Sequence, residues 1–229
     1  MKPDRAGDMT KTGEAIKRAI DIAGSAAALG LLAPLLAALA LAVRLDSPGP
    51  SLFRQRRLGR GGRPFTALKF RTMVENAPDV RNADGSALCR EGDPRVTRLG
   101  RLLRQWSLDE LPQLFNVLAG QMSLLGPRPD QVDQIRYYTP AELRRLDVKP
   151  GLTGLAQVSG RNDLTWAERK RLDLEYVERR SLALDLRIFA ATVPLVLLRR
   201  GVYNDAPAAA AASQEPYSDH TNDLHTRAA

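Results

Sequence analysis

The chain has 229 residues, room for one catalytic domain with appendages or for two small domains. Lys+Arg number 34 against 26 Asp+Glu, a formal net charge of +8, which points to an anionic partner: nucleic acid, an anionic membrane face or a phosphorylated substrate. The single cysteine, Cys89, excludes an intrachain disulfide and a Cys-rich zinc module. The two histidines, His220 and His225, stand at the far C-terminus, which weakens any mechanism built on a His base or a His-ligated metal.

After a short N-terminal tail (residues 1–10), the region 11–46 contains a stretch, Ile22–Val43, without a charged residue. As a helix it would reach roughly 33 Å, enough to cross a hydrocarbon core. A cleaved signal peptide is one reading, with Lys11, Lys17 and Arg18 as its basic start, but the apolar core is too long for it. A spanning helix is a second. Basic residues then mark the cytoplasmic side, and they flank both ends: Lys11, Lys17 and Arg18 before, Arg44, Arg54, Arg56, Arg57, Arg60 and Arg63 after. A re-entrant helix that enters and leaves on one face satisfies both flanks. It needs a break, and Pro34 stands near the middle, with Gly24, Ser25 and Gly30 nearby to loosen the helix or satisfy freed carbonyls.

Residues 47–204 are expected to form one folded domain, cytoplasmic or interfacial. Following the turn cluster Asp46-Ser47-Pro48-Gly49-Pro50, the runs SLFRQRR and PFTALKF around LGRGGR predict a β-hairpin. Residues 75–94 read as a polar surface loop. From Thr97, Leu99, Leu102, Leu103 and Trp106 share one face of a basic amphipathic helix, either interfacial or half-buried. A second helix is expected from near Ser107 to Gly120, then the turn Gly126-Pro127-Arg128-Pro129 and a polar helix around 140–147. The glycine-punctuated KPGLTGLAQVSGRN (149–162) precedes a charged helix over about 165–180, and 182–200 reads as an interfacial or buried amphipathic helix because Asp185, Arg187 and Pro194 argue against a clean span. The Ala-rich and polar stretch 205–229 reads as a disordered tail. The fold class is thus predominantly α with a small β-hairpin.

Ser107-Leu108-Asp109-Glu110 admits two readings. S-x-x-E before an apolar run is a capping box, with acids favoured in a first helical turn. Alternatively, two carboxylates at a helix start, with Arg104, Arg128, Lys69 and Arg71 near in sequence or in the hairpin, form a site for a phosphorylated substrate. Mg²⁺ needs only one or two carboxylates plus substrate oxygens, and an aspartate can attack phosphorus. An arginine held between two prolines suits a forked grip on a diphosphate. No dinucleotide, P-loop or hydrolase-elbow motif is present.

Together these segments resemble the bacterial sugar transferase family, the small monotopic polyprenyl-phosphate sugar-1-phosphate transferases. The resemblance rests on FRQRRLGRGGRPFTALKFRTM (53–73), DPRVTRLGRLLRQWSLDELPQLFNVLAGQMSLLGPRP (93–129), KPGLTGLAQVSGRN (149–162) and LDLEYVERRSLALDLRI (172–188), with the Pro-broken apolar segment before them. It implies transfer of a sugar-1-phosphate from a nucleotide diphosphate sugar, usually a UDP-sugar, to undecaprenyl phosphate at the cytoplasmic face of the bacterial inner membrane, releasing UMP and beginning a glycan such as exopolysaccharide or O-antigen. It further implies Asp109 as the nucleophile of a covalent phospho-sugar intermediate and Glu110 as its partner, both at Mg²⁺. Lys69, Arg104 and Arg128 would lie around the phosphates and nucleotide, and Pro34 would break a re-entrant membrane helix. Ala33 departs from the serine the family often has before that proline, and the multi-span N-terminal region of larger members is missing, as in a minimal catalytic form. Homo-oligomers are compatible with this reading. Two other classes stand beside it: a catalytically idle membrane partner of a polysaccharide assembly complex, against which the intact dyad counts, and a nucleic-acid binder, against which the apolar segment and the 5% aromatic content count.

Overall fold

A computed structural model describes residues 9–82, 84–199 and 201–203. The stretch 205–229, expected as a tail, lies outside the described residues. The architecture is helix-rich with a small antiparallel hairpin, as the periodicity predicts. The element order is α1 (Lys11–Asp46), β1 (Leu52–Leu58), β2 (Pro64–Phe70), α2 (Arg98–Gln105), α3 (Gln113–Leu118), β3 (Ser123–Leu125), β4 (Gly151–Thr153), α4 (Leu155–Ser159), α5 (Trp166–Arg179) and α6 (Leu182–Leu197).

Helix α1 begins where Thr10 Oγ1 accepts the Gly13 N–H at 3.1 Å and Glu14 lies in the first turn. Its burial is inverted relative to a water-soluble helix. The buried positions are Lys17, Asp21, Ser25 and Val43, whereas Leu31 is 82% exposed and Leu41 and Leu45 are also open. Lys17, Asp21 and Ser25 recur every four residues, so they form one polar stripe against the protein. Lys17 Nζ pairs with Asp185 of α6 at 2.6 Å. Asp21 Oδ1 accepts from Ser123 Oγ and the Leu124 N–H. Arg18 donates to the carbonyls of Val117 and Leu118, the open C-terminal end of α3, at 2.7 and 2.9 Å. At the other end Val43 packs with Phe70 and Leu103. Arg71 donates to the carbonyls of Val43, Ser47 and Pro48, so it caps the C-terminus of α1 and does not join the cations expected around the dyad. By length and composition, α1 is the one helix among the described residues able to cross a membrane.

The break expected at Pro34 is not a break in secondary structure: α1 continues through it. One proline deletes a single backbone donor, and the flanking turns keep the helix. Nor does Ser25 serve the carbonyl Pro34 frees; its hydroxyl donates to Asp21 O and Ile22 O.

The hairpin pairs Leu52 with Phe70 through Leu58 with Pro64, closing over left-handed Gly61 and Gly62. Alternation along β2 sends Phe65, Ala67 and Lys69 to one face. Phe65 and Ala67 bury against Val117 and Met122, so Lys69 points inward beneath α3. Asn116 fixes that packing: its Oδ1 accepts the Leu68 N–H, and its Nδ2 donates to Thr66 O and Gln121 Oε1.

The second pairing was not anticipated. β3 and β4 form a short parallel ladder, Ser123 with Gly151 and Leu125 with Thr153. It depends on close backbone approach, since a Cβ on Gly151 would fall 2.1 Å from Gly126 N. The glycines of 149–162 therefore seat the GPRP turn. The polar segment near 140–147 forms 3-10 turns over Glu142–Asp147 in place of an α-helix. α5 begins at a capping box, Thr165 with Glu168.

Candidate functional site

The segment joining α2 to α3 carries the two acids. α2 starts at Thr97, whose hydroxyl accepts the Gly100 N–H, and Gly100 lies so close to Thr72 that a Cβ would clash with its carbonyl. α2 is thus pressed onto the strand exit, and Arg104 Nε donates to Thr72 Oγ1 at 2.9 Å. Ser107 then adopts a left-handed conformation (φ 56°, ψ 21°) and caps nothing. The chain passes through one 3-10 turn, Leu108–Glu110, before α3 begins beyond Pro112. The capping-box reading and the helix expected from Ser107 are both corrected here. A left-handed Ser107 sends the chain off the helical path, and the proline resets it.

Glu110 is saturated with cations. Arg128 grips it with a fork, Nη1 to Oε2 at 3.1 Å and Nη2 to Oε1 at 2.5 Å, and Lys69 Nζ donates to Oε1 at 2.8 Å. Burial works against the Glu110 charge, but Arg128 and Lys69 outweigh it and hold this carboxyl well below the usual range. Asp109 stands in contrast. It is 8% exposed and accepts no hydrogen bond among the described residues. Burial pushes its carboxyl up to about 6, opposed by Lys69 and reinforced by Glu110. Burial also lowers the Lys69 ammonium, only partly offset by Glu110.

The GPRP turn is held from three sides. Arg57 Nη1 donates to Pro129 O, Arg145 Nη2 to Arg128 O, and the Leu58 N–H to Asp130 O. Arg161, also left-handed (φ 51°), donates from Nη2 to Ser107 Oγ at 2.9 Å. Two strained residues thus meet beside Asp109. Lys69, Arg104, Arg128 and Arg161 surround two carboxylates, a net positive site suited to a doubly charged phosphate ligand.

A family model described as bacterial sugar transferase matches residues 12–199. The chain is 47% identical over 197 residues to a UDP-glucose:undecaprenyl-phosphate glucose-1-phosphate transferase of Caulobacter vibrioides, covering 82% of this chain and 72% of that protein. It is 41% identical over 212 residues to the exopolysaccharide production protein ExoY of Rhizobium meliloti, covering 88% and 94%. A UDP-N-acetylgalactosamine-undecaprenyl-phosphate N-acetylgalactosaminephosphotransferase of Aeromonas hydrophila is 41% identical over 189 residues, 80% of this chain and 44% of that one. The chain belongs to the bacterial sugar transferase family. It is an enzyme of the transferase class.

In this sugar transferase, Asp109, Glu110, Lys69 and Arg128 come together, with Arg104 one turn upstream of the dyad and tied to Thr72. Pro34 lies elsewhere, within α1. Sequence reading missed Asn116, which bolts α3 to β2, and Arg161 with Ser107. Asn116 is a buried polar residue inside an apolar run, a visible signal. The left-handed pair left no signal, because both residues are unremarkable in type. No group of three or more potential metal ligands occurs among the described residues. Magnesium needs fewer when substrate phosphates complete its shell. Of the dyad, Asp109 offers open lone pairs, while both Glu110 oxygens are bonded to cations.

Proposed function

We propose that this protein transfers a sugar-1-phosphate from a UDP-sugar to undecaprenyl phosphate at the cytoplasmic face of the bacterial inner membrane, through a phospho-sugar carried on Asp109. The observation that carries the reading is the division of labour in the dyad, one acid saturated by Arg128 and Lys69 and one buried with no hydrogen-bond donor among the described residues. The names of the relatives supply the substrates.

With its carboxyl near 6, Asp109 is mostly ionised at neutral pH, yet more basic than an exposed aspartate. Its oxygen attacks the sugar-bearing phosphorus, the bond to the UMP oxygen breaks, and UMP leaves. An oxygen of undecaprenyl phosphate then attacks the same phosphorus, freeing Asp109 and forming the lipid diphosphate sugar. Glu110 holds Arg128 and Lys69 in place beside the reacting phosphates, and Arg104 and Arg161 add positive charge for the donor diphosphate. Magnesium, held by Asp109 and substrate oxygens, would supply charge neutralisation between two anions.

The membrane reading draws on α1. Its apolar surface is exposed, while residues near both ends bond to one body, Lys17 and Asp21 at one end, Val43 and Asp46 at the other. A crossing helix would separate those ends by the bilayer thickness of about 30 Å. A monotopic, re-entrant placement keeps both at one face; because α1 stays helical through Pro34, that placement takes a bend at the proline and not a break, with the exposed apolar residues of α6, Leu186, Phe189 and Val193, lying in the interface. Cysteines introduced at Thr10 and Ser51 in a Cys89→Ser background should label from the same side of sealed vesicles; opposite-side labelling means the helix crosses.

The reaction is tested with lipid-reconstituted protein, Mg²⁺, undecaprenyl phosphate and a panel of UDP-sugars, reading UMP release. Asp109→Asn should lower turnover by at least about 10³-fold while the protein stays folded and membrane-bound. Wild-type turnover in the purified variant removes the nucleophile.

A further inference from the structure

Away from the dyad, the structure forms an open-mouthed pocket of ≈ 380 Å³ including its solvent-filled entrance, walled by the first turns of α1, the hairpin tip and the segment before β4. Its lining holds five cations, Lys17, Arg18, Arg60, Lys149 and Arg180, against two acids, Glu14 and Asp21. We propose that this pocket binds the phosphate-bearing headgroup of an anionic membrane lipid, at a site separate from the catalytic one.

Several of these charges already have partners. Lys17 pairs with Asp185, Arg180 pairs with Glu14, Arg18 donates to the α3 carbonyls, and Asp21 is bonded to β3. Lys149 and Arg60 have no acid partner among the described residues. They share the mouth with Arg18, and the crowding is close: a Cβ on Gly120 would stand 3.2 Å from Arg18 Nη2 and 3.7 Å from Lys149 Nζ. Burial lowers the Lys149 ammonium, and Arg18 and Arg60 lower it further, with Asp21 and Glu14 opposing. Like charges held together in this way are relieved by one shared anion.

Two features select a lipid over a free anion. The wall residues Glu14, Lys17, Arg18 and Asp21 immediately precede the apolar stretch that starts at Ile22. Beside the cations, Ile20 is 52% and Leu118 38% exposed, so a basic mouth adjoins apolar surface, the pairing an amphiphile requires. The pocket is also distinct from the dyad. Asp109 and Glu110 precede the N-terminus of α3, whereas Arg18 closes its C-terminus, about 9 Å further along the six-residue helix.

The membrane setting rests on the reading of α1 given above, and the test separates the two. Full-length protein in neutral detergent is mixed with phosphatidylglycerol or phosphatidylcholine, and retained lipid is counted by native mass spectrometry, a readout that needs no turnover. Wild type should retain phosphatidylglycerol in preference. The double variant Lys149→Gln/Arg60→Gln should retain about thirty-fold less of it, roughly the loss of two cations near a lipid surface, with phosphatidylcholine retention unchanged. Equal phosphatidylglycerol retention by both proteins overturns the site. Displacement of the lipid by millimolar inorganic phosphate that itself stays bound overturns the lipid as ligand. Flotation with pure phosphatidylcholine vesicles reports membrane insertion of α1 independently, so failure there is distinguishable from failure of the pocket.

Discussion

Two clusters of buried charge lie on either side of the GPRP turn and are built from the same residue types. On one side Arg145 serves two aspartates, Asp130 and Asp173, together with Tyr138 Oη and the Arg128 carbonyl. Trp166 Nε1 and Tyr138 Oη donate to the same Asp130 oxygen, and the Lys170 ammonium sits 4.6 Å from the Trp166 ring centroid. On the other side the ratio is reversed, with Arg128 and Lys69 both spent on Glu110 and, among the described residues, nothing bonded to Asp109. Acidity alone does not separate the two, because burial pushes both Asp173 and Asp109 up to about 6. What differs is closure. Asp173 is tied to Arg145 and sealed at 1% exposure, while Asp109 stands 8% exposed among cations that exceed the acids. The first cluster fixes the Arg128 loop in place; the second leaves a carboxylate available for chemistry.

Removing a charge from each side sharpens the contrast. Arg145→Ala strands two buried aspartates and should cost about 3–5 kcal/mol in thermal or denaturant unfolding; a loss under 1 kcal/mol would mean the cluster is not structural. Asp109→Asn should act in the opposite direction. Its folded-state carboxyl lies above the ordinary 3.8, so the folded form holds the proton more tightly and the ionised group destabilises the fold. That penalty is absent below about pH 4, grows between pH 4 and 6, and is complete above about 6. The variant should therefore gain about 1–3 kcal/mol at pH 7.5 and nothing at pH 3.5. A pH-independent difference would break the argument.

A finer test replaces geometry and keeps charge. Arg128→Lys trades the fork on Glu110 for a point charge and should lower kcat/KM about 10- to 100-fold, with unfolding little changed because Lys69 still neutralises the acid. The smallest effect concerns two look-alike motifs. Thr165→Ala removes a working cap and should cost about 1 kcal/mol, whereas Ser107→Ala removes no cap, and its cost of about 0.5–1 kcal/mol should come only from the hydrogen bond that Arg161 donates to its hydroxyl.

Those two motifs mark what local sequence can and cannot decide. Thr165-Trp166-Ala167-Glu168 and Ser107-Leu108-Asp109-Glu110 share the spacing of a hydroxyl residue with a glutamate three positions on. Only the first forms a capping box, because α5 follows Thr165 uninterrupted, while Ser107 turns left-handed, bonded to an arginine 54 residues away. The hairpin, α2, α5 and α6 were legible for the reason caps and periodicity usually are: their signals lie within a few residues of one another. The family was legible through long segments kept in order. By contrast, the parallel β3–β4 ladder joins short strands with a long excursion between them, and neither carries strand periodicity of its own. The sequence by itself determined the charge excess, the apolar helix and the pair of adjacent acids at the candidate site. Only the tertiary structure decided which acid is saturated and which is left open, because that depends on where β2 and the GPRP turn bring Lys69 and Arg128 across the chain, at separations no local pattern encodes.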